Sequence, residues 1–220
     1  MVVIEESMPL KELFPAYFPQ DLTDCARLLS LRKGDNVFTY GEPITSLYRV
    51  VRGRISLVHY TSEDTEVVLM RMGRGEFIAE CSVCANIYTC EGRADTDSLV
   101  AKLVIADFDR KLTEDAAFAR AWAMDLARRL KDQFLRYERL NIRSARERVL
   151  HLLYCEAGPD GTVSLPGPQL EWAADMGLTK ETLYRVLSGL EAEGVLRRDG
   201  KKLVLISNHA RRHARVYGIR

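Results

Sequence analysis

Residues 169 to 188 read "QLEWAADMGLTKETLYRVLS", and the spacing of small and apolar residues in this stretch decides the C-terminal fold. Two short helices that cross closely need a small residue at the crossing, which Ala173 supplies. Four residues later the turn needs a residue that tolerates positive φ, and Gly177 stands there. Trp172, Met176, Leu178, Leu183 and Val186 occupy the surrounding inward positions, and Thr179 is placed to cap the second helix through its hydroxyl. The spacing predicts a helix-turn-helix. Along its second helix Leu183, Val186, Leu187 and Leu190 share one side, leaving Lys180, Glu181, Tyr184, Arg185 and Ser188 outward. That outward set suits a DNA major groove. An arginine can donate to guanine O6 and N7, a glutamate can accept from cytosine N4, and a lysine can meet a phosphate.

Working outward, "GVLRRDGKKLVLIS" places two short apolar runs around Asp199-Gly200, a hairpin-turn dipeptide. Arg197, Arg198, Lys201 and Lys202 flank the turn, so the segment reads as a basic wing, with Arg198 and Lys201 expected on phosphates. Charge follows the same division. Residues 1 to 141 carry 19 Lys+Arg against 22 Asp+Glu, whereas residues 178 to 220 carry 10 against 4.

Upstream, "EDAAFARAWAMDLARRLKDQFLRYERL" holds no glycine or proline and repeats Phe118, Trp122, Leu126, Leu130, Phe134 and Tyr137 at three- and four-residue steps. This predicts one helix of about 40 Å with a single apolar stripe. Such a helix between two compact regions packs on a second copy of itself, so those six residues are the expected homodimer seam. The alternative is a stripe buried within its own chain. From about Leu31 to Ile105, runs rich in Val, Ile, Leu and Tyr alternate with Gly34, Gly41, Gly53, Gly73 and Gly75, the pattern of an antiparallel β-roll. In front of it "DLTDCARLLSL" reads as a short helix with Leu22, Cys25, Ala26 and Leu29 inward. The expected class is α+β, divided into a sensing roll (1–111), a dimerisation helix (112–141) and a winged helix-turn-helix domain (142–220).

No apolar run approaches a membrane span, and "MVVIEESMPL" lacks the order of a signal peptide, so a cytoplasmic protein with no membrane partner is expected. An enzyme finds no support. There is no Gly-rich phosphate loop and no nucleophile elbow, and the four histidines carry no partnered carboxylate pattern, His151 reading as a helix-surface or core-edge residue.

The order of β-roll, long helix and winged helix-turn-helix resembles the CRP/FNR family of bacterial transcription regulators. Three stretches carry the likeness: "GEPITSLYRVVRGRISL", "RLNIRSARERVLHLL" and "LTKETLYRVLSGLEAEGVL". The resemblance implies that Glu181 and Arg185 read base edges of a two-fold-symmetric operator on double-stranded DNA, that an effector or redox signal sensed in the roll acts through the dimer helix, and that RNA polymerase is a partner. Tyr184 stands where members of the FNR branch usually have serine. A sensory dimer working through protein contacts alone, with a vestigial DNA domain, is the alternative.

The effector is open. Family members that bind cyclic AMP carry Gly-Glu and, about ten residues on, Arg-Ser. Here Glu80 follows Ala79, and Tyr88 and Thr89 stand where Arg-Ser would fall. A cyclic phosphate would lose its charge partner, which argues against cyclic AMP, and the pocket candidates become Glu80, Tyr88 and Thr89. The same cassette reads "ECSVCANIYTC", with Cys81, Cys84 and Cys90 in a Cys-x2-Cys-x5-Cys spacing similar to that of cluster-binding FNR members. Packing is the favoured reading of these thiols. An iron–sulfur cluster or metal, with Cys25 as the reachable fourth ligand, and thiol redox chemistry are the alternatives.

Overall fold

The structure is a computed structural model that describes residues 10–158, 160–164, 172–173, 176–199 and 202–206. It divides into two compact units that meet in sequence at Met124 and Asp125.

The first unit is built on two antiparallel sheets. One has the order β1 (Arg27–Leu31), β8 (Ser98–Val104), β3 (Ser46–Arg52), β6 (Phe77–Ile78). The other has the order β2 (Asn36–Phe38), β7 (Glu91–Ala94), β4 (Ile55–Tyr60), β5 (Glu66–Met72). The predicted β-roll is present. Alternation explains its core: in β3 Tyr48 and Val50 point inward, and they join Phe38, Ile55, Met72, Ile78, Tyr88 and Val100 in one buried cluster. Gly53 shows why a glycine punctuates β3 and β4. It has φ +86°, and a Cβ there would meet the backbone of Asp97 and Ser98.

The short helix α1 spans Gln20–Asp24 and stops earlier than the sequence pattern predicts, because Arg27–Leu31 forms β1 in register with β8. Leu29 is therefore a strand residue, and Cys25 is exposed rather than inward. The eight residues from Leu22 to Leu29 carry apolar side chains at i, i+3, i+4 and i+7, a pattern too short to exclude a helix ending early; pairing with seven-residue β8 decides for a strand from Arg27 onward.

Helix α2 spans Ile105–Glu114 and helix α3 Ala116–Asn141. Asp115 interrupts them in an extended conformation, and its carboxylate accepts from the Phe118 N–H at 2.9 Å, capping α3. The apolar stripe on α3 divides. Phe118 and Trp122 are buried in the first unit, where Trp122 meets Phe77 and Phe108 edge-on with ring centroids 5.1 and 5.0 Å apart. Phe14 and Phe18 complete this aromatic cluster. Phe118 and Trp122 are thus corrected from the expected dimer seam to intrachain core. They sit beside rings the helix pattern alone does not reveal. Leu126 is half-buried, while Leu130, Phe134 and Tyr137 are 55, 63 and 70% exposed.

The second unit packs α4 (Ala145–Glu156) and α5 (Lys180–Ala192) against a three-stranded sheet in the order β10 (Leu196–Asp199), β11 (Lys202–Leu205), β9 (Thr162–Ser164). Val149, Leu150, Leu152 and Leu153 of α4 face Leu183, Leu187 and Leu190 of α5 in the core, together with Trp172, Ala173 and Met176. Among the described residues, no helix is long and apolar enough to cross a membrane.

Candidate nucleic-acid interface

Helix α5 begins where the sequence places it. Thr179 is its N-cap, and the hydroxyl accepts from the Thr182 N–H at 3.2 Å, satisfying one of the otherwise orphaned first-turn donors. Gly177 has φ +61°, as the turn requires. The turn closes with the Leu178 N–H donating to the Ala173 carbonyl at 2.8 Å. Ala173 and Met176 are fully buried at the crossing.

With Leu183, Leu187 and Leu190 committed to the core, the opposite face of α5 is left to solvent. Lys180, Glu181, Tyr184 and Arg185 line one shallow, open concavity on it, and Ser188 is half-buried one turn further on. The wing approaches the same face. The Arg198 guanidinium lies over the Tyr184 ring, 5.3 Å from its centroid, and its Nε donates to Glu191 Oε2 at 3.1 Å. A cation held over one face of Tyr184 restricts the ring and ties β10 to α5 at Arg198. Lys201 and Gly200 lie outside the described residues.

Two further groupings in this unit escape the sequence reading. Arg148, in the first turns of α4, donates from Nε and Nη2 to the Ile142 carbonyl at 3.0 and 2.7 Å, and from Nη1 to the Met176 carbonyl at 2.7 Å. His151 is buried, with Nε2 3.3 Å from Glu138 Oε2 and Nδ1 3.7 Å from the Cys155 sulfur. That corrects the expected surface or core-edge placement. Its carboxylate partner lies on α3, and only tertiary packing brings the two together.

In the roll, Tyr88 is buried, stacked on Phe38 with centroids 4.0 Å apart, and donates from its hydroxyl to the Ser46 carbonyl at 2.8 Å. Desolvation, reinforced by the neighbouring Tyr48 phenol, pushes the Tyr88 phenol far above its usual range. Tyr88 is therefore a core residue of the roll, which corrects its expected place as a pocket side chain. Thr89 is exposed and Glu80 half-buried at the start of a 3-10 turn, Glu80–Cys84. Arg93, on the neighbouring strand β7, pairs with the Glu66 carboxylate at 2.7 Å and donates to the Tyr60 hydroxyl at 3.1 Å.

The thiols separate by environment. Cys81 and Cys84 are exposed, with the Cys84 thiol donating to the Cys81 carbonyl at 3.0 Å, so the packing reading is corrected for both. Cys90 is half-buried against the roll core, and burial pushes its thiol up. Cys25 is exposed. Among the described residues, no group of three or more His, Cys, Asp or Glu side chains is placed to hold a metal ion.

Comparison with known proteins agrees with this architecture. Residues 28–115 match the cyclic nucleotide-binding domain and residues 147–211 the Crp-like helix-turn-helix domain. The CRP-like protein Clp of Xanthomonas campestris pv. campestris (strain B100) is 31% identical over 183 residues, covering 77% of this chain and 80% of that protein. Two similar solved structures are each 26% identical. FixK2 from Bradyrhizobium japonicum has a TM-score of 0.61, covering 86% of this chain and 96% of that one. Clp of Xanthomonas campestris, described as a c-di-GMP-responsive global regulator, has a TM-score of 0.54, covering 83% of this chain and 94% of that one. A CooA mutant from Carboxydothermus hydrogenoformans, 20% identical with a TM-score of 0.67 and covering 96% of each chain, shares the fold. With a cyclic-nucleotide-binding-type roll, a Crp-like helix-turn-helix and relatives of this similarity, the chain belongs to the CRP/FNR family of DNA-binding transcription regulators.

Proposed function

We propose that two copies of this chain pair through the exposed part of α3, from Leu126 through Leu130, Phe134 and Tyr137, and set their two α5 helices into successive major grooves of a two-fold-symmetric operator. The observation that carries this reading is the outward face of α5. Lys180, Glu181, Tyr184 and Arg185 line one concavity on a capped helix whose other face is locked into the core. Glu181 and Arg185 are four residues apart, so their side chains stand one above the other on the helix. Arg185 offers two parallel donors to guanine, and Glu181 an acceptor to cytosine N4. Lys180 and Arg198 take phosphates, and Lys201 is assigned the same role from its place in the wing. RNA polymerase is the protein partner of the bound dimer.

The sensor is the roll. Tyr88 occupies the place of a phosphate-binding arginine, and its hydroxyl is already used by Ser46, which supports an effector other than cyclic AMP held in the arginine-dependent way. The c-di-GMP responsiveness stated for Clp makes a cyclic dinucleotide the first ligand to titrate.

Selection from random double-stranded DNA tests the reading. Wild-type protein enriches one palindromic sequence, and Arg185→Ala loses about 1–3 kcal/mol of discrimination at a single G·C pair in each half-site. Failure to enrich any symmetric sequence would instead favour a sensory dimer that acts through protein contacts.

A further inference from the structure

Arg148 connects two places that a DNA-reading dimer must keep in register. Helix α3 ends at Asn141, and the carbonyl of the next residue, Ile142, accepts two hydrogen bonds from this guanidinium, from Nε at 3.0 Å and Nη2 at 2.7 Å. On the other side of the same planar group, Nη1 donates to the carbonyl of Met176 at 2.7 Å and approaches that of Gly177 at 3.5 Å. Met176 and Gly177 form the turn that delivers the chain to Thr179, the N-cap of α5. One side chain thus spans from the end of the long helix to the root of the recognition helix.

The chemistry suits the task. Guanidinium is planar, permanently charged and fork-shaped, so its donors hold several carbonyls at fixed relative angles where a lysine ammonium would act as a compact point charge. Its positive charge also sits at main-chain carbonyls that follow a helix end, where the macrodipole favours a cation. The two ends of the bridge also lie close in space. A Cβ built on Gly177 would lie 3.6 Å from Leu140 Cδ2 and 3.4 Å from Arg148 Nη1, which puts the last turn of α3 directly beside the turn. No charged side chain is needed at either end of the bridge. Its acceptors are all backbone carbonyls, so it persists across the pH range in which carboxylates titrate.

We propose that Arg148 is a positioning residue that fixes α5 to the end of α3, and that this clamp sets the half-site separation the dimer accepts. The inference rests on the reading of the protein as a paired DNA-binding regulator. Without the clamp each recognition helix keeps its cap, its core and its outward residues. What it loses is a fixed position relative to the helix through which the two copies pair.

The experiment compares full-length wild type, Arg148→Lys and Arg148→Met on three DNA duplexes: the selected operator, a single half-site, and the operator with two base pairs inserted at its centre. The insertion turns one half-site by about 70° relative to the other. Wild type should prefer the operator over the inserted duplex by about a hundredfold or more, as expected when the second contact is made at high effective concentration. Arg148→Met should keep half-site affinity within about twofold of wild type while its preference for correct spacing falls to about tenfold or less, with Arg148→Lys between. A role confined to folding would lower half-site and operator binding together and leave their ratio unchanged, and that result overturns the proposal. Spacing preference retained by both variants overturns it too. A wild type that binds operator and inserted duplex alike removes the paired reading itself, and the proposal with it. Arg148→Lys keeps the charge at the helix end, so the measurement stands if the methionine variant fails to fold.

Discussion

Replacing Gly177 is the most direct test of how the turn makes the recognition helix possible. Its φ of +61° lies in the left-handed region, where an L side chain costs about 1–2 kcal/mol. Alanine recovers about 0.4–1 kcal/mol of that by reducing the conformational freedom of the unfolded chain. The added methyl itself fits, since its nearest neighbours would be Arg148 Nη1 at 3.4 Å and Leu140 Cδ2 at 3.6 Å. Gly177→Ala should therefore destabilise the second unit by about 0.5–1.5 kcal/mol through backbone strain rather than collision. Gly177→Asn should cost less, because asparagine enters this region with several-fold greater ease. Gly177→Val should cost more than alanine, since its branched Cβ is the least tolerant of positive φ. The assay is urea unfolding followed by fluorescence of Trp172, buried in this unit's core, in a Trp122→Phe background that silences the other tryptophan. The expected order of midpoints is Gly, Asn, Ala, Val. An alanine variant as stable as wild type, or asparagine falling below valine, would refute the claim that φ rather than space selects this glycine.

The divided stripe on α3 predicts that Trp122→Ala costs about 3–5 kcal/mol of unfolding free energy, because a ring packed against Phe77 and Phe108 leaves a cavity. Phe134→Ala should change monomer stability by less than about 0.5 kcal/mol and instead weaken self-association in sedimentation velocity; a destabilised monomer with intact association would contradict the assignment. Iodoacetamide at neutral pH should label Cys25, Cys81 and Cys84 before Cys90 and Cys155, whose thiols are half-buried and pushed up by desolvation. Mass spectrometry showing Cys90 or Cys155 modified as fast as Cys84 would refute that order. The Tyr88 and Tyr48 phenols are raised by burial, so the stability they hold is present below the ordinary tyrosine pKa of about 10 and is lost as pH rises beyond it. Tyr88→Phe should lose about 1 kcal/mol at pH 7, from the missing bond to Ser46, yet decline less than wild type between pH 9 and 11. Parallel declines in the two proteins would show that Tyr88 ionisation plays no part.

Much of the architecture is legible in the sequence because its signals are local. The turn at Gly177, the cap at Thr179 and the inward leucines of α5 each follow from spacing within one element, and the structure realises all three. Signals that depend on partners are not legible. The periodicity of Phe118 and Trp122 says that one helix face is apolar without saying whether it meets Phe77 and Phe108 or a second chain. Leu29 fits a helical stripe equally well until β8 offers it a ladder. Arg148 reads as one more basic residue on a helix, since the carbonyls of Met176 and Gly177 become its partners only when the second unit folds. Glu138 and His151 meet across two helices in the same way.

The roll departs from the pattern of cyclic-AMP-binding family members at two positions, which bound one segment. Ala79 replaces a glycine, yet it holds φ +65° while buried. A non-glycine residue in that region costs about 1–3 kcal/mol and persists only when its surroundings over-determine it. Here Ile78, paired with Tyr48 in the sheet, fixes one side, and the helical turn at Glu80 begins immediately on the other. Nine residues later Tyr88, stacked on Phe38 and bonded to Ser46, anchors the far end of the same segment in the core. Between two rigid ends the chain carries the exposed Cys81 and Cys84. An effector that engages this segment would work against a strained residue at one end and a buried phenol at the other. Displacement of Tyr88 would cost a buried hydrogen bond and an aromatic stack, and displacement of Ala79 would cost the sheet pairing and burial that hold its strained φ.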